Sequence, residues 1–215
     1  MSRLDDFLAH HVEGYLFYDL RTMSRDDADG KGVGYPILMS CCAGIEFLGA
    51  LRSNVRFEAH GRGKDYFAEF WRNCLYPPPS LHTALDEPVY QLIRHGIAHS
   101  FITKGNIGVL RHDPAVHLTR DANGQFVVDA VQLAIDLQNA YTAFVRPVLT
   151  DPTRSVEKAS MEQRLTEMES DFGDQATKKG VPPASAGAQP GAQITSSLTP
   201  SVVARGATGP LPPGP

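Results

Sequence analysis

The sequence predicts a mainly α-helical fold with one small β insertion, and three observations support this class. Apolar residues recur at helical spacing in five segments before residue 150, and a more polar helical segment follows at 154–171. Short β-branched runs between turn signals occur within residues 107–128. After residue 171 the chain is rich in Pro, Gly, Ala and Ser, and its last aromatic residue is Phe172, so we expect a disordered tail.

We expect one helical domain over residues 1–150, a peripheral helix over 151–171 and the tail over 172–215. The predicted helices of the domain cover 3–21, 36–52, 63–75, 85–101 and 129–147. In the second of these helices, apolar residues cover more than one side, which predicts the most buried helix. Glu46 is the one charge in its middle, while Asp86 and Asp129 are expected to be the N-caps of the two later helices.

A small β element is predicted between the fourth and fifth helices. Ile107–Arg111, Ala115–Thr119 and Gln125–Val128 are short alternating or β-branched runs. Turn signals separate these runs at 113–114 and at 121–124. We therefore expect a β-hairpin or a three-strand meander inserted over about 107–128.

Composition argues against several classes of protein. The formal net charge of −4 gives no support for a protein that coats nucleic acid through a basic stripe. Three cysteines, two of them adjacent, do not form a disulfide framework and indicate buried thiols in a reducing compartment. The N-terminal segment lacks the apolar core of a signal peptide, and no uninterrupted apolar run is long enough to span a membrane, so we expect a cytoplasmic protein.

The segment from Arg94 to His99 is the best candidate for chemistry. Arg94, His95 and His99 lie near the end of an apolar helix, and Lys104 follows as a candidate RNA contact. Histidine suits proton transfer near neutral pH, and arginine presents a fork of donors to phosphate oxygens. Because no carboxylate cluster accompanies them, the residue types predict chemistry at a phosphodiester without a metal or a cofactor. In RNA the 2′-hydroxyl can serve as the nucleophile.

Helical geometry constrains how these side chains can act together. At about 100° per residue, Arg94 and His99 are about 140° apart around the helix axis, whereas His95 and His99 are only about 40° apart. Arg94 and His99 reach one ligand only if the arginine bends round, the helix distorts at Gly96, or two copies of the chain face each other. The last arrangement predicts a homodimer with a composite site.

The hexapeptide from Arg94 to His99 matches the R-x(4–6)-H motif of HEPN domains, and the chain resembles that family over roughly residues 3–150. His95 agrees with the polar residue that the family has after its arginine. The helical order is also similar, and Glu46 resembles the acidic residue of many HEPN proteins. The β element at 107–128 resembles an insertion found in a subset of HEPN-like proteins.

The resemblance implies a homodimeric endoribonuclease of the kind found in toxin–antitoxin and antiviral defence systems. The partners it implies are RNA, a second copy of the chain, and an antitoxin or defence-system protein. By this resemblance His99 is the general acid and base, Arg94 stabilises the charged transition state or activates the 2′-hydroxyl, and His95 and Glu46 support the pair. One branch of the family has R-x4-H-x-Y with a modified tyrosine; Phe101 stands at that position here, so we expect no such control.

Other interpretations of these residues stay open at this point. Arg94 and His99 can be a cation pair at the C-terminal end of a helix, in a non-catalytic HEPN-like interaction or regulatory protein. His95 and His99, at i and i+4, also match a helical metal pair, although no Cys-x-x-Cys or His-Glu-x-x-His pattern supports one. The candidate third ligands are His82, Cys74, His112 and His117. Trp71 is expected in the core or a dimer interface and not as a platform for base stacking.

Overall fold

The computed structural model describes residues 2–25, 33–58, 61–100 and 107–179, without the side chains of 98–100 and 176–177. Most of these residues are helical, which confirms the predicted class. Helix α1 covers 3–23 (Arg3–Phe7, π-helical Leu8–Leu16, Phe17–Met23), α2 is Gly34–Arg52, and α3 covers 63–75 (Gly63–Phe70, π-helical Trp71–Leu75). Helix α4 covers 86–100 (Asp86–Val89, π-helical Tyr90–Arg94, His95–Ser100), α5 covers 130–145 (Ala130–Ala140, π-helical Tyr141–Val145), α6 is Pro147–Thr150, and α7 is Ser155–Lys178. Short 3₁₀ turns lie at Thr83–Leu85, Pro114–Val116 and Pro152–Arg154.

Helix α2 lies at the centre of the helical body, as its apolar pattern predicts. It contacts α3, α4, α5 and α7. Its buried side chains are Ile37, Leu38, Cys41, Cys42, Ile45, Leu48, Ala50 and Leu51. The closest approach is to α3 at Gly49, where an added Cβ would collide with the backbone carbonyl of Tyr66. Glycine is therefore required at this crossing, and the crossing brings the C-terminal part of α2 close to the start of α3.

The same helix is the one candidate membrane span among the described residues. By its length and composition alone, Gly34–Arg52 is apolar enough to cross a membrane. This was not expected from the sequence, which contains no uninterrupted apolar run of that length. Its apolar residues, however, lie in the main hydrophobic core with residues from the surrounding helices. Its hydrophobicity is accounted for by this packing.

The ends of α1 to α5 lie within two residues of the predicted boundaries, but one predicted cap is wrong. Asp129 caps α5, because its carboxylate accepts a hydrogen bond from the Gln132 backbone N–H at 2.7 Å. Asp86 is instead the first residue of α4, where Leu85 occupies the cap position. The buried Asp86 carboxylate pairs with Arg72 Nη2 at 2.7 Å, so a tertiary ion pair replaces the local cap.

The three-stranded sheet lies within the predicted segment, but its second strand and its strand order differ from the prediction. The expected strand Ala115–Thr119 is wrong, because Pro114–Val116 forms a 3₁₀ turn and the strand is Thr119–Arg120. The strands of the sheet are β1 (Ile107–Leu110), β2 (Thr119–Arg120) and β3 (Phe126–Asp129). Strands β2 and β3 form the expected antiparallel hairpin, but β1 pairs with β3 in parallel, giving the order β1-β3-β2. The meander interpretation is therefore wrong, because the chain between β1 and β2 crosses over and forms the 3₁₀ turn Pro114–Val116.

Helix α7 continues to Lys178, past the expected start of the tail at residue 172. It buries Met161, Leu165 and Met168 in the same core as α2, and it contacts α1 and α2. The segment that was expected to be peripheral is thus part of the helical body. The rest of the expected tail, from residue 180 onwards, lies outside the described residues.

Candidate functional site

Arg94 and Glu46 come together in an ion pair at the centre of the candidate site. Arg94 is the last residue of the π-helical segment of α4, and Glu46 lies in the middle of α2. Arg94 Nε donates to Glu46 Oε2 at 3.3 Å, and the two side chains are 30% and 25% exposed. Since the pairing uses Nε, it fixes the plane of the guanidinium while its two terminal amino groups can still donate to a ligand.

The helix that carries the motif is distorted, but not at Gly96. The π-helical turn spans Tyr90–Arg94 and ends as the motif begins, while Gly96 is buried within the α-helical segment His95–Ser100. Single π-turns inside α-helices are frequent at functional sites. The separation of about 140° between Arg94 and His99 assumes α-helical rotation, and the backbone is α-helical from His95 to Ser100.

Gly63, the first residue of α3, leaves room for the Glu46 carboxylate. A Cβ at this position would overlap Glu46 Oε1 and would lie 3.0 Å from the Tyr90 hydroxyl. Glycine therefore allows α3 to start directly against α2 and α4. The sequence offered no signal for this requirement, because it depends on the approach of two helices from other parts of the chain.

A cavity of about 260 Å³ opens beside the ion pair. Its lining residues come from α2, the α2–α3 connection, α3, α4 and α7, and they include Ala43, Glu46, Phe47, Ala50, Phe57, Glu58, Gly63, Tyr66, Arg94, Met168 and Phe172. Phe57 stacks on Tyr66 at a ring distance of 6.0 Å and lies 5.8 Å from Phe172. The cavity therefore combines an aromatic wall with one cation and two carboxylates.

The groups behind the ion pair stay neutral. Burial raises the pKa of Cys42 to about 12, with Arg94 opposing and Glu46 reinforcing the shift. Burial and the Glu46 charge also raise the pKa of Tyr90, against the effect of Arg94. The thiol and the phenol are therefore not nucleophiles near neutral pH.

The other predicted site residues are placed unevenly. The His95 ring packs edge-on against Tyr90, with ring centroids 5.2 Å apart, at the N-terminus of the last α-helical segment. The backbone of His99 belongs to that segment, but its side chain lies outside the description. Lys104 and Phe101 lie outside the described residues.

A second polar cluster, which the sequence did not indicate, links α3, α5 and the sheet. The Asp129 backbone N–H donates to His117 Nδ1 at 3.1 Å, so a neutral His117 ring carries its proton on Nε2. That nitrogen lies 3.0 Å from the Tyr76 hydroxyl, which in turn donates to Asp136 Oδ2 at 2.5 Å. Asp136 also accepts from Gln132 at 2.7 Å. We call Tyr76, His117 and Asp136 the closed network.

The candidate metal ligands His117 and Cys74 bond to other protein groups and do not form a metal site. His117 belongs to the closed network, and Cys74 accepts a hydrogen bond from Arg52 Nη1 at 2.7 Å. Across the described residues, no group of three or more His, Cys, Asp or Glu side chains is arranged to hold a metal ion. Trp71 is fully buried and donates to the His82 carbonyl at 2.9 Å, which makes it a core residue and not a stacking platform.

Comparison of the chain with protein-family models, with curated proteins and with solved structures returned no significant match.

Proposed function

We propose that this protein is a metal-independent endoribonuclease of the HEPN type, with Arg94 and His99 as its catalytic residues. The observation that carries the proposal is the Arg94 guanidinium, which Glu46 orients at 3.3 Å beside an open cavity. A guanidinium fixed in this way presents its remaining donors to a phosphate without reorganising during the reaction. His99 is on the same helix, in the α-helical segment His95–Ser100 that directly follows Arg94.

The reaction requires only the groups named above and the RNA itself. The 2′-hydroxyl attacks the adjacent phosphorus, and the bond from phosphorus to the 5′-oxygen breaks. His99 exchanges protons with the entering and leaving oxygens, while Arg94 stabilises the negative charge that develops on the phosphate. The products are a 2′,3′-cyclic phosphate and a 5′-hydroxyl. His95 and Glu46 act as positioning residues.

The proposal includes a homodimer. Because Arg94 and His99 are about 140° apart on an α-helix, two copies of α4 that face each other supply an arginine and a histidine to one phosphate more readily than a single copy does. RNA, the second copy, and an antitoxin or defence-system protein are the proposed partners. A cytoplasmic location is part of the same proposal.

The test is cleavage of tRNA and mRNA by the full chain in the presence of EDTA. We expect products with 2′,3′-cyclic phosphate ends, and a loss of roughly 10²–10³-fold in rate for Arg94→Ala. We expect a loss of roughly 10²–10⁴-fold for His99→Ala. Arg94→Lys keeps the charge without the fork of donors and is expected to recover only part of the rate.

Arg146→Ala is the matched control, because Arg146 is a 61% exposed arginine that pairs with Glu13 at 3.7 Å, and it does not line the cavity. It should cleave RNA at the wild-type rate. Equal cleavage by His99→Ala and wild type contradicts the assignment and points to a contaminating ribonuclease. Light scattering tests the dimer, since a fully active monomer contradicts the composite site.

The Glu46–Arg94 ion pair also favours a second function. A half-buried acid that pairs with an arginine across two helices stabilises helix packing, and this role needs no chemistry. On this alternative the chain is a non-catalytic helical HEPN-like protein that acts through a partner in a defence or toxin–antitoxin locus. A wild-type protein that cleaves none of the RNAs supports this alternative.

A further inference from the structure

The cavity beside Arg94 has features that catalysis at a phosphate does not require. Four aromatic side chains line it: Phe47, Phe57, Tyr66 and Phe172. An aromatic wall next to a cation is the combination that binds a base and its phosphate in single-stranded nucleic acids, because bases stack on aromatic rings while arginine contacts the backbone.

The cavity has the size of one ring system. Its volume of about 260 Å³ lies just below the roughly 300–1,000 Å³ of sites for drug-sized ligands. Its wall is held in place, because the Phe57 N–H donates to Glu167 at 2.9 Å and the Tyr66 hydroxyl accepts from the Glu58 N–H at 3.1 Å. Phe172, in contrast, is 55% exposed at the rim and lies 5.8 Å from Phe57, so its ring has to turn aside to admit a base between the two rings.

Carboxylates determine which base fits. Glu46 is engaged with Arg94, while Glu58 is exposed and its carboxylate forms no ion pair within the part of the chain that the structure describes. An ionised carboxylate only accepts hydrogen bonds. The Watson–Crick edge of guanine offers it two adjacent N–H donors, whereas adenine and cytosine offer one amino group beside an accepting nitrogen, and uracil offers one imino group between two carbonyls.

We propose that this cavity is a subsite for a guanine base next to the scissile phosphate, with Phe57 and Phe172 stacking on the base and Glu58 accepting from its N1–H and N2–H groups. The inference rests on the proposed function, because RNA cleavage is the reason to expect a nucleotide as the ligand. It adds a sequence preference that the catalytic pair alone does not supply. Arg94 then contacts the phosphate attached to the bound guanosine.

The test is calorimetric titration of the full chain, in EDTA, with GMP, AMP, CMP and UMP. We expect saturable binding of GMP that is at least tenfold tighter than binding of the other three nucleotides. Phe172→Ala should weaken GMP binding about tenfold, since stacking on one aromatic side chain contributes on that scale. Glu58→Gln should reduce the preference for GMP over AMP, because the amide replaces one acceptor with a donor.

Tyr18→Ala is the matched control for Phe172→Ala. Tyr18 is 57% exposed on α1 and does not line the cavity, so its removal should leave GMP binding unchanged. Thermal unfolding of both variants verifies that each is folded. Equal affinity for all four nucleotides overturns the guanine preference, and equal weakening by both variants overturns the location.

The two proposals can fail separately. RNA cleavage that depends on Arg94, without measurable GMP binding, overturns the guanine subsite and leaves the ribonuclease in place. GMP binding that depends on Phe172 and Glu58, without RNA cleavage, supports the subsite and overturns the catalytic proposal.

Discussion

The open pair of Arg94 and Glu46 and the closed network of Tyr76, His117 and Asp136 each contain a carboxylate that is hydrogen-bonded to another side chain, but in different surroundings. The open pair is partly exposed, and it borders a cavity that has room for a ligand. In the closed network, Tyr76 and His117 are buried, and the polar atoms of the three side chains bond to one another, to Gln132 or to the backbone. A set of acid, histidine and tyrosine is thus insufficient to define a site.

The difference lies in the hydrogen-bonding capacity left for a ligand. In the closed network the hydrogen-bonding atoms already have protein partners, so it ties the sheet to α3 and α5 and contributes to stability. In the open pair, one carboxylate orients one guanidinium and leaves donors directed to solvent. We therefore propose that the closed network has a structural role and the open pair a chemical one, and three measurements test this division.

The largest expected difference is in stability. Tyr76→Phe removes the hydroxyl between His117 and Asp136 and should lower the free energy of unfolding by about 1–3 kcal/mol, because the buried His117 ring and the 20% exposed Asp136 carboxylate each lose a hydrogen bond. Arg94→Ala should lower it by about 1 kcal/mol or less, since water reaches the Glu46 carboxylate that remains. Urea denaturation of both variants measures these values. Equal losses would remove the distinction between the two regions.

A smaller effect is expected from pH. Burial lowers the pKa of His117 below its usual 6.5, outweighing the opposite effect of Asp136 and Asp129, while His82 adds to the lowering. The unfolded chain therefore protonates His117 at a higher pH than the folded chain does. The stability that comes from burying the neutral His117 ring is complete above about pH 6.5 and decreases as the pH falls below that value. The limit is about 1.4 kcal/mol per pH unit.

His117→Gln isolates this contribution, because glutamine can still accept from the Asp129 N–H and donate to the Tyr76 hydroxyl without titrating. The free energy of unfolding of the wild type should fall more steeply than that of the variant between pH 6.5 and 5. Parallel curves would show that His117 does not titrate differently in the folded protein.

The third measurement concerns Gly63. In Gly63→Ala the new methyl group displaces the end of the flexible Glu46 side chain, so we expect a loss of about 1 kcal/mol together with a shift of the Arg94 Nε–H resonance in NMR spectra. Gly173→Ala, with no atom within 4 Å of its added Cβ, is the control and should stabilise α7 by up to about 1 kcal/mol. An unchanged Arg94 resonance in Gly63→Ala would separate Gly63 from the site.

Local patterns predicted the helices well and the contacts between them poorly. The apolar periodicity located α2 and marked it as the central helix, and Asp129 was correctly identified as a cap because capping depends on neighbouring residues. Asp86 has the same local signature, but Arg72 from α3 competes for its carboxylate. The β1–β3 pairing likewise joins segments that no local pattern relates.

The candidate site was predictable to the extent that it is local. The motif identified Arg94, and Glu46 stood out as an isolated charge inside an apolar helix; the structure joins these two residues in one ion pair. The cavity wall and Gly63 were not predictable, because they depend on how α2, α3 and α7 cross. The sequence left His117 as a candidate metal ligand, because its hydrogen-bonding partners Tyr76 and Asp136 are distant in sequence and no local pattern relates them to it.

The π-helical turn Tyr90–Arg94 determines how the site responds to a change in chain length. Buried Val89, Ile93 and Ile97 hold α4 on the core on both sides of Arg94. A π-turn holds one residue more than an α-turn, so deleting one residue within it lets the turn close as an α-helix while the remainder of α4 keeps its face toward the core. Deleting one residue from the α-helical segment Asp86–Val89 would instead rotate the residues that follow by about 100°. In evolutionary terms, the turn is a place where α4 can lose one codon and keep Arg94 beside Glu46, whereas the same loss one turn earlier separates them.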